Sequence, residues 1–157
     1  MSLNTPPRGL RVLFALCVAV LAVTGFGQMP IFKRYYLADL PGLGWLAEYY
    51  VTHTIHYIAA AVFLALVFYL ATSYLRRWRP SLRITTWGSL RIVVIAVIAA
   101  SGILRVLKNR PDVFLSPEAV FLIDLVHLGA VILWGLLALG ARITRRRPYL
   151  AARPERA

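Results

Sequence analysis

Residues 46–75 read LAEYYVTHTIHYIAAAVFLALVFYLATSYL, an apolar run with one carboxylate near its start and no other charged side chain. About 20 helical residues cross the hydrocarbon of a bilayer, so this run predicts a membrane span that is tilted or extends beyond the lipid. His53 and His56 lie well inside it, and a second apolar run contains Asp124 and His127 at the same spacing. Because an ionisable side chain is costly at that depth, these two stretches are the first candidates for a functional site.

The composition of the chain favours a membrane protein. Of its 157 residues, 60% are hydrophobic and only 15% are charged, and the mean hydropathy is +0.70. This length suits one domain of about four spans of roughly 20 residues joined by short loops. We therefore expect an all-α membrane protein, a four-helix transmembrane bundle that forms a single domain over residues 1–157. The predicted spans are residues 12–32, 46–75, 90–107 and 117–141.

The connections between the predicted spans contain residues that typically end or begin a helix. Pro30 is expected to end or kink the first span, and the amphipathic, aromatic residues 31–45 are expected to lie in the membrane interface. Residues 76–83 predict a basic loop along the surface. Ser116 followed by Pro117 and an acid is a strong signal for the start of the fourth helix.

The net charge of +12 is distributed unevenly along the chain. Counted with the adjoining helix ends, the N-terminus, the middle loop and the C-terminal segment contain 13 Lys and Arg side chains and one acid, Glu155, whereas the other two connections contain five of each sign. The positive-inside rule then places both termini in the cytoplasm. We expect a multi-pass protein of the bacterial inner membrane. Topology explains the basic charge without a nucleic-acid partner. The single cysteine, Cys17, excludes an internal disulfide and a four-cysteine iron–sulfur cluster.

His56 and His127 are expected to lie at the same depth. His56 is about 11 residues past Trp45 and His127 about 10 past Pro117, so each imidazole lies roughly 15 Å inside its helix. Two imidazoles at one level on facing helices can ligate an iron from both sides of a porphyrin. Small residues nearby leave space for a flat ring. We therefore expect one heme b with His56 and His127 as the iron ligands.

Several neighbouring residues have more than one possible role. His53 competes with His56 as a ligand, or contacts a heme propionate or a quinone oxygen, or faces interfacial water. Asp124 is a proton acceptor, a partner of His127, or an acid in interfacial water. The expected propionate donors are Lys33, Arg34, Arg105 and Lys108. Two readings without heme remain open, a pair of hydrogen-bonded histidines between helices and a site for another metal.

The pattern resembles the membrane cytochrome b subunits of respiratory formate dehydrogenases and nickel–iron hydrogenases. The resemblance covers most of the chain and depends on Leu21-Ala22-Val23-Thr24-Gly25, Ile55-His56 with Ala60, Ser101-Gly102-Ile103-Leu104, and Val126-His127. It implies an outer heme on His56 and His127. The ligand positions of the family's inner heme fall on Arg11 and Ala141, so the resemblance implies a variant with one heme. Any quinone would then bind near the outer heme.

These observations together predict an integral subunit of a respiratory oxidoreductase complex. It would relay electrons between a partner iron–sulfur or cytochrome subunit and membrane quinone, with no catalytic domain of its own. The alternative is a cofactor-free membrane anchor that docks a partner redox protein. A small transporter that uses His53, Asp124 and His127 as a proton path is a further alternative, although broken helices and paired repeats are not evident.

Overall fold

The computed structural model describes residues 7–145 and 149–153. Its helices are α1 (Arg8–Gly27), α2 (Pro30–Arg34), α3 (Tyr49–Ser73), α4 (Thr86–Leu107) and α5 (Pro117–Ile143). Short 3-10 turns, Leu37–Asp39 and Gly44–Ala47, separate α2 from α3, and a π-helical turn, Tyr74–Trp78, extends α3. Two three-residue strands, β1 (Leu82–Ile84) and β2 (Leu150–Ala152), complete the described elements.

The four long helices, α1, α3, α4 and α5, are each long and apolar enough to cross a membrane. Large apolar side chains cover their surfaces; Phe68 is 70% exposed and Phe121 is 67% exposed. Hydrocarbon solvates such a surface, whereas a soluble monomer rarely has one so extensive. The expected all-α membrane fold is therefore confirmed. The orientation of the termini and the single domain stay predictions, and Arg146, Arg147 and Glu155 of the charge pattern lie outside the described residues.

Local chemistry sets the ends of the helices. The first span begins and ends earlier than predicted, because α1 runs from Arg8 to Gly27 and Pro30 begins α2. The third begins earlier than predicted, because the Thr85 hydroxyl accepts a hydrogen bond from the Gly88 amide at 2.9 Å and caps α4. At α5 the prediction is confirmed, since the Ser116 hydroxyl accepts from the Ala119 amide at 3.3 Å.

The chain forms two compact units, which are separated in sequence between Arg79 and Pro80. In the first unit α1 packs against α3. The two helices are antiparallel, since Phe14 lies 5.4 Å from Phe63 between ring centroids, while Thr24, ten residues later, reaches His56. The second unit pairs α4 with α5 in the same way. Each unit is therefore a helix hairpin with one of the candidate histidines on its second helix.

The second unit also contains a small sheet, at one end of α4, that the sequence did not predict. Strands β1 and β2 are antiparallel, with Ile84 opposite Leu150. This pairing brings Tyr149 onto α4, where the Arg91 guanidinium carbon lies 3.8 Å from the centre of its ring. Burial raises the pKa of the Tyr149 phenol. The residues expected to form a basic surface loop therefore include a strand that holds the C-terminal segment.

Gly88→Ala is expected to destabilise this second unit. A Cβ at Gly88, in the first turn of α4, would clash with the backbone carbonyl of Tyr149. Forcing packed atoms apart typically costs about 1–3 kcal/mol. Thermal unfolding in detergent measures the effect, with Gly9→Ala on α1 as the control, because a Cβ at Gly9 meets nothing within 4 Å. Equal melting temperatures for the two variants would contradict this packing.

Candidate functional site

His56 lies against α1 at two adjacent small residues. Its Nδ1 is 2.8 Å from the hydroxyl oxygen of Thr24, which is 1% exposed. A Cβ on Gly25 would lie 3.3 Å from the ring carbon Cε1, which is bonded to both ring nitrogens. The imidazole therefore lies with its Nδ1–Cε1 edge on α1, and only a glycine allows such close approach without displacing the ring.

His127 lies in the same environment in the second unit. Its Nδ1 is 3.0 Å from the hydroxyl oxygen of Ser101 on α4, which is 4% exposed. A Cβ on Gly102 would lie 3.4 Å from Cε1 of His127. In each hairpin the histidine ring thus packs against a residue with a buried hydroxyl and against the glycine that follows that residue.

The match between the two hairpins extends one turn further along each helix. In each hairpin, the residue four positions after the threonine or serine contacts the residue three positions before the histidine. In the first unit these are Gln28 and His53, whose Oε1 and Nδ1 are 3.2 Å apart. In the second they are Arg105 and Asp124, with Arg105 Nε 2.9 Å from Asp124 Oδ1. In the sequence, only the shared three-residue spacing of His53–His56 and Asp124–His127 is evident.

Asp124 belongs to an ion cluster with two cations. Lys108 Nζ lies 2.8 Å and 2.7 Å from the two carboxylate oxygens, and Arg105 binds one of them. The Lys108 side chain is only 13% exposed, whereas those of Arg105 and Asp124 are 39% and 41% exposed. Asp124 thus forms ion pairs with Arg105 and Lys108, a role that the sequence did not predict. The cluster has an excess of one positive charge, one helical turn from His127.

Asp124→Asn is expected to lower the stability of the second unit only modestly. The carboxylate is partly exposed, and ion pairs in such positions contribute about 0.2–1 kcal/mol. Because salt screens these charges, the difference from the wild type should shrink as ionic strength rises. Thermal unfolding at low and high salt measures both effects. Asp112→Asn, which removes the exposed Arg110–Asp112 pair, is the matched control, and an Asp124→Asn effect independent of salt would contradict this account.

His53 lies one helical turn from His56 among aromatic side chains. Its ring is stacked on Tyr49 at 5.0 Å and tilted against Tyr57 at 4.1 Å between centroids. The Gln28 amide that contacts His53 also donates to the backbone carbonyl of Thr24 at 3.2 Å. Gln28 therefore links His53 to the turn of α1 that contacts His56.

The expected propionate donors differ in what surrounds them. Arg105 and Lys108 lie in the ion cluster beside His127. Arg34 is exposed on α2. Lys33 belongs to the same short helix, but its side chain lies outside the described residues.

Thr24, Ser101 and Gln28 were not predicted as partners of the histidines. In the sequence, Thr24-Gly25 and Ser101-Gly102 stand out only through the resemblance to the cytochrome b subunits. A hydroxyl followed by glycine on the helix before each histidine helix was the available signal. Within residues 7–145 and 149–153, no three His, Cys, Asp or Glu side chains converge into a metal-ion site. Comparison of the chain with protein-family models, with curated proteins and with solved structures gives no match.

Proposed function

We propose that the chain is a membrane cytochrome b with one heme b, for which His56 and His127 supply the iron ligands. It would be the electron-transfer subunit of a respiratory oxidoreductase complex, exchanging electrons with a partner iron–sulfur or cytochrome subunit and with membrane quinone. The main supporting observation is the matched environment of the two histidines, one in each helix hairpin.

The surroundings of both histidines suit residues that ligate a metal. A histidine that binds a metal through one ring nitrogen almost always bonds through the other to a fixed polar group, which orients the ring. In both hairpins Nδ1 has such a partner, a buried hydroxyl on the neighbouring helix. Coordination would therefore use Nε2. Gly25 and Gly102 keep Cβ atoms away from the rings, which favours the approach of a flat group.

The residues around the ligands have separable roles in this proposal. When bound, heme supplies a one-electron Fe(III)/Fe(II) couple. His56 and His127 would hold the iron, and the apolar helices would exclude water from it. Arg105 and Lys108 provide the excess positive charge that a propionate carboxylate would neutralise. His53 remains the second choice as ligand, or a contact for a propionate or quinone, and Lys33 and Arg34 remain further propionate donors.

A spectrum of the purified full-length chain tests the proposal. We expect a Soret band, a reduced-minus-oxidised difference typical of a b-type cytochrome, and one heme per chain after extraction and counting. Two hemes per chain would contradict the one-heme assignment. A folded, membrane-inserted chain with no Soret band after expression with excess heme would favour the cofactor-free anchor instead.

A further inference from the structure

We infer that Thr24 and Ser101 are positioning residues that hold His56 and His127 in the tautomer with the ring proton on Nδ1. In that tautomer the lone pair is on Nε2 of each imidazole, so Nε2 would be the ligand atom and each ring would be a more basic ligand. The effect on iron rests on the proposed function. The tautomer itself rests on the hydrogen bonds alone.

The Thr24 hydroxyl has a single proton and lies close to both a backbone carbonyl and the ring of His56. Its oxygen lies 2.7 Å from the backbone carbonyl oxygen of Val20 and 2.8 Å from Nδ1 of His56. Two oxygens at 2.7 Å need a hydrogen between them, and a carbonyl has none to give. The single hydroxyl proton is therefore donated to Val20. The contact with Nδ1 then needs a proton from the ring, so His56 donates and Thr24 accepts.

Ser101 repeats this arrangement in the second unit. Its hydroxyl oxygen lies 2.7 Å from the carbonyl oxygen of Val97 and 3.0 Å from Nδ1 of His127. The same count assigns the hydroxyl proton to Val97 and the ring proton to Nδ1 of His127. Two independent hairpins thus impose one tautomer, although one uses threonine and the other serine.

The consequence for a bound iron follows from ligand basicity. An Nδ1–H group that donates a hydrogen bond pushes electron density toward Nε2 and strengthens it as a ligand. A more basic ligand stabilises ferric iron more than ferrous iron, which lowers the reduction potential. The two hydroxyls would therefore contribute to both the affinity for heme and its potential.

The tautomer is tested without heme. The full-length chain, labelled with ¹⁵N-histidine and placed in lipid nanodiscs, reveals by NMR which ring nitrogen bears the proton. We expect Nδ1–H on His56 and His127, with the His56 signals altered in Thr24→Val and the His127 signals altered in Ser101→Ala. A wild-type chain with the proton on Nε2 of either histidine overturns the inference, whether or not the chain binds heme.

The effect on iron is tested in the heme-loaded chain. We expect Thr24→Val and Ser101→Ala each to weaken heme binding by about 10–100-fold, as is typical when an outer partner of a metal ligand is lost. If the affinity for ferric heme falls tenfold more than the affinity for ferrous heme, the reduction potential should rise by about 59 mV. Thr24→Ser and Ser101→Thr, which keep the hydroxyl, should restore both values.

Thr54→Val is the matched control for these variants. Thr54 also donates to the carbonyl four residues earlier, at 2.8 Å from Tyr50, but it is exposed. Removing its hydroxyl should leave the heme affinity and the potential unchanged. Circular dichroism establishes that each variant is folded, and Ser101→Ala provides the milder second variant if Thr24→Val does not fold. Wild-type potential and affinity in folded Thr24→Val and Ser101→Ala would refute the role toward iron, while a wild-type chain without heme would refute the proposed function instead.

Discussion

His56→Ala and His127→Ala are each expected to abolish stable heme binding. Each substitution removes one of the two coordination bonds, so the loss should exceed the roughly 10–100-fold that follows removal of an outer partner. The fold should survive the first substitution, because the Thr24 hydroxyl keeps its bond to the Val20 carbonyl at 2.7 Å. Ser101 likewise keeps its bond to Val97 in His127→Ala. The Soret absorbance per chain and the extracted heme measure the result.

His53→Ala is the internal control for this experiment. His53 lies on the same helix as His56, but its Nδ1 contacts the Gln28 side chain rather than a buried hydroxyl beside a glycine. The variant should therefore retain its heme with at most a shifted potential. Loss of heme in His53→Ala with retention in His56→Ala would transfer the ligand role to His53. Full heme content in both His56→Ala and His127→Ala would remove the basis of the cytochrome proposal.

The sequence predicts the helices well, because their determinants are local. Apolar runs of sufficient length specify membrane helices wherever the rest of the chain lies, since every backbone polar group is satisfied within the helix. The start at Pro117 was predictable for the same reason, as Ser116 caps the helix from the preceding residue. The start at Thr86 lies before the predicted span because the Thr85 hydroxyl caps α4.

Features that depend on distant residues were not predicted. Strand β2 exists because it pairs with β1, and Leu150–Ala152 has no pattern of its own that identifies a strand. The bond between Thr24 and His56 joins residues 32 positions apart. Spacing within one helix gave the depth of each histidine, but it gave no information on the partner helix. The role of Thr24-Gly25 and Ser101-Gly102 is evident only from the structure, where each pair contacts a histidine on the neighbouring helix.

Gly25→Val and Gly102→Val are expected to weaken heme binding by displacing the histidine rings. An added Cβ would lie 3.3 Å from the Cε1 of His56 at Gly25, and 3.4 Å from that of His127 at Gly102. The first distance requires a shift of a few tenths of an ångström, whereas the second is close to ordinary contact. The branched side chain of valine adds further bulk against the ring. Overpacking of about 1–3 kcal/mol corresponds to a loss of roughly 5- to 150-fold in heme affinity.

A graded series separates displacement of the ring from a general effect of removing glycine. Gly25→Ala should be milder than Gly25→Val, and Gly102→Ala should be milder still because its Cβ has more room. Gly135→Val on α5 is the control, because a Cβ at that position meets nothing within 4 Å and Gly135 lies two turns beyond His127. Heme titration and the NMR signals of the two histidines measure the series. If Gly135→Val weakens heme binding as much as Gly25→Val, the glycines act through helix flexibility rather than by making room for an imidazole.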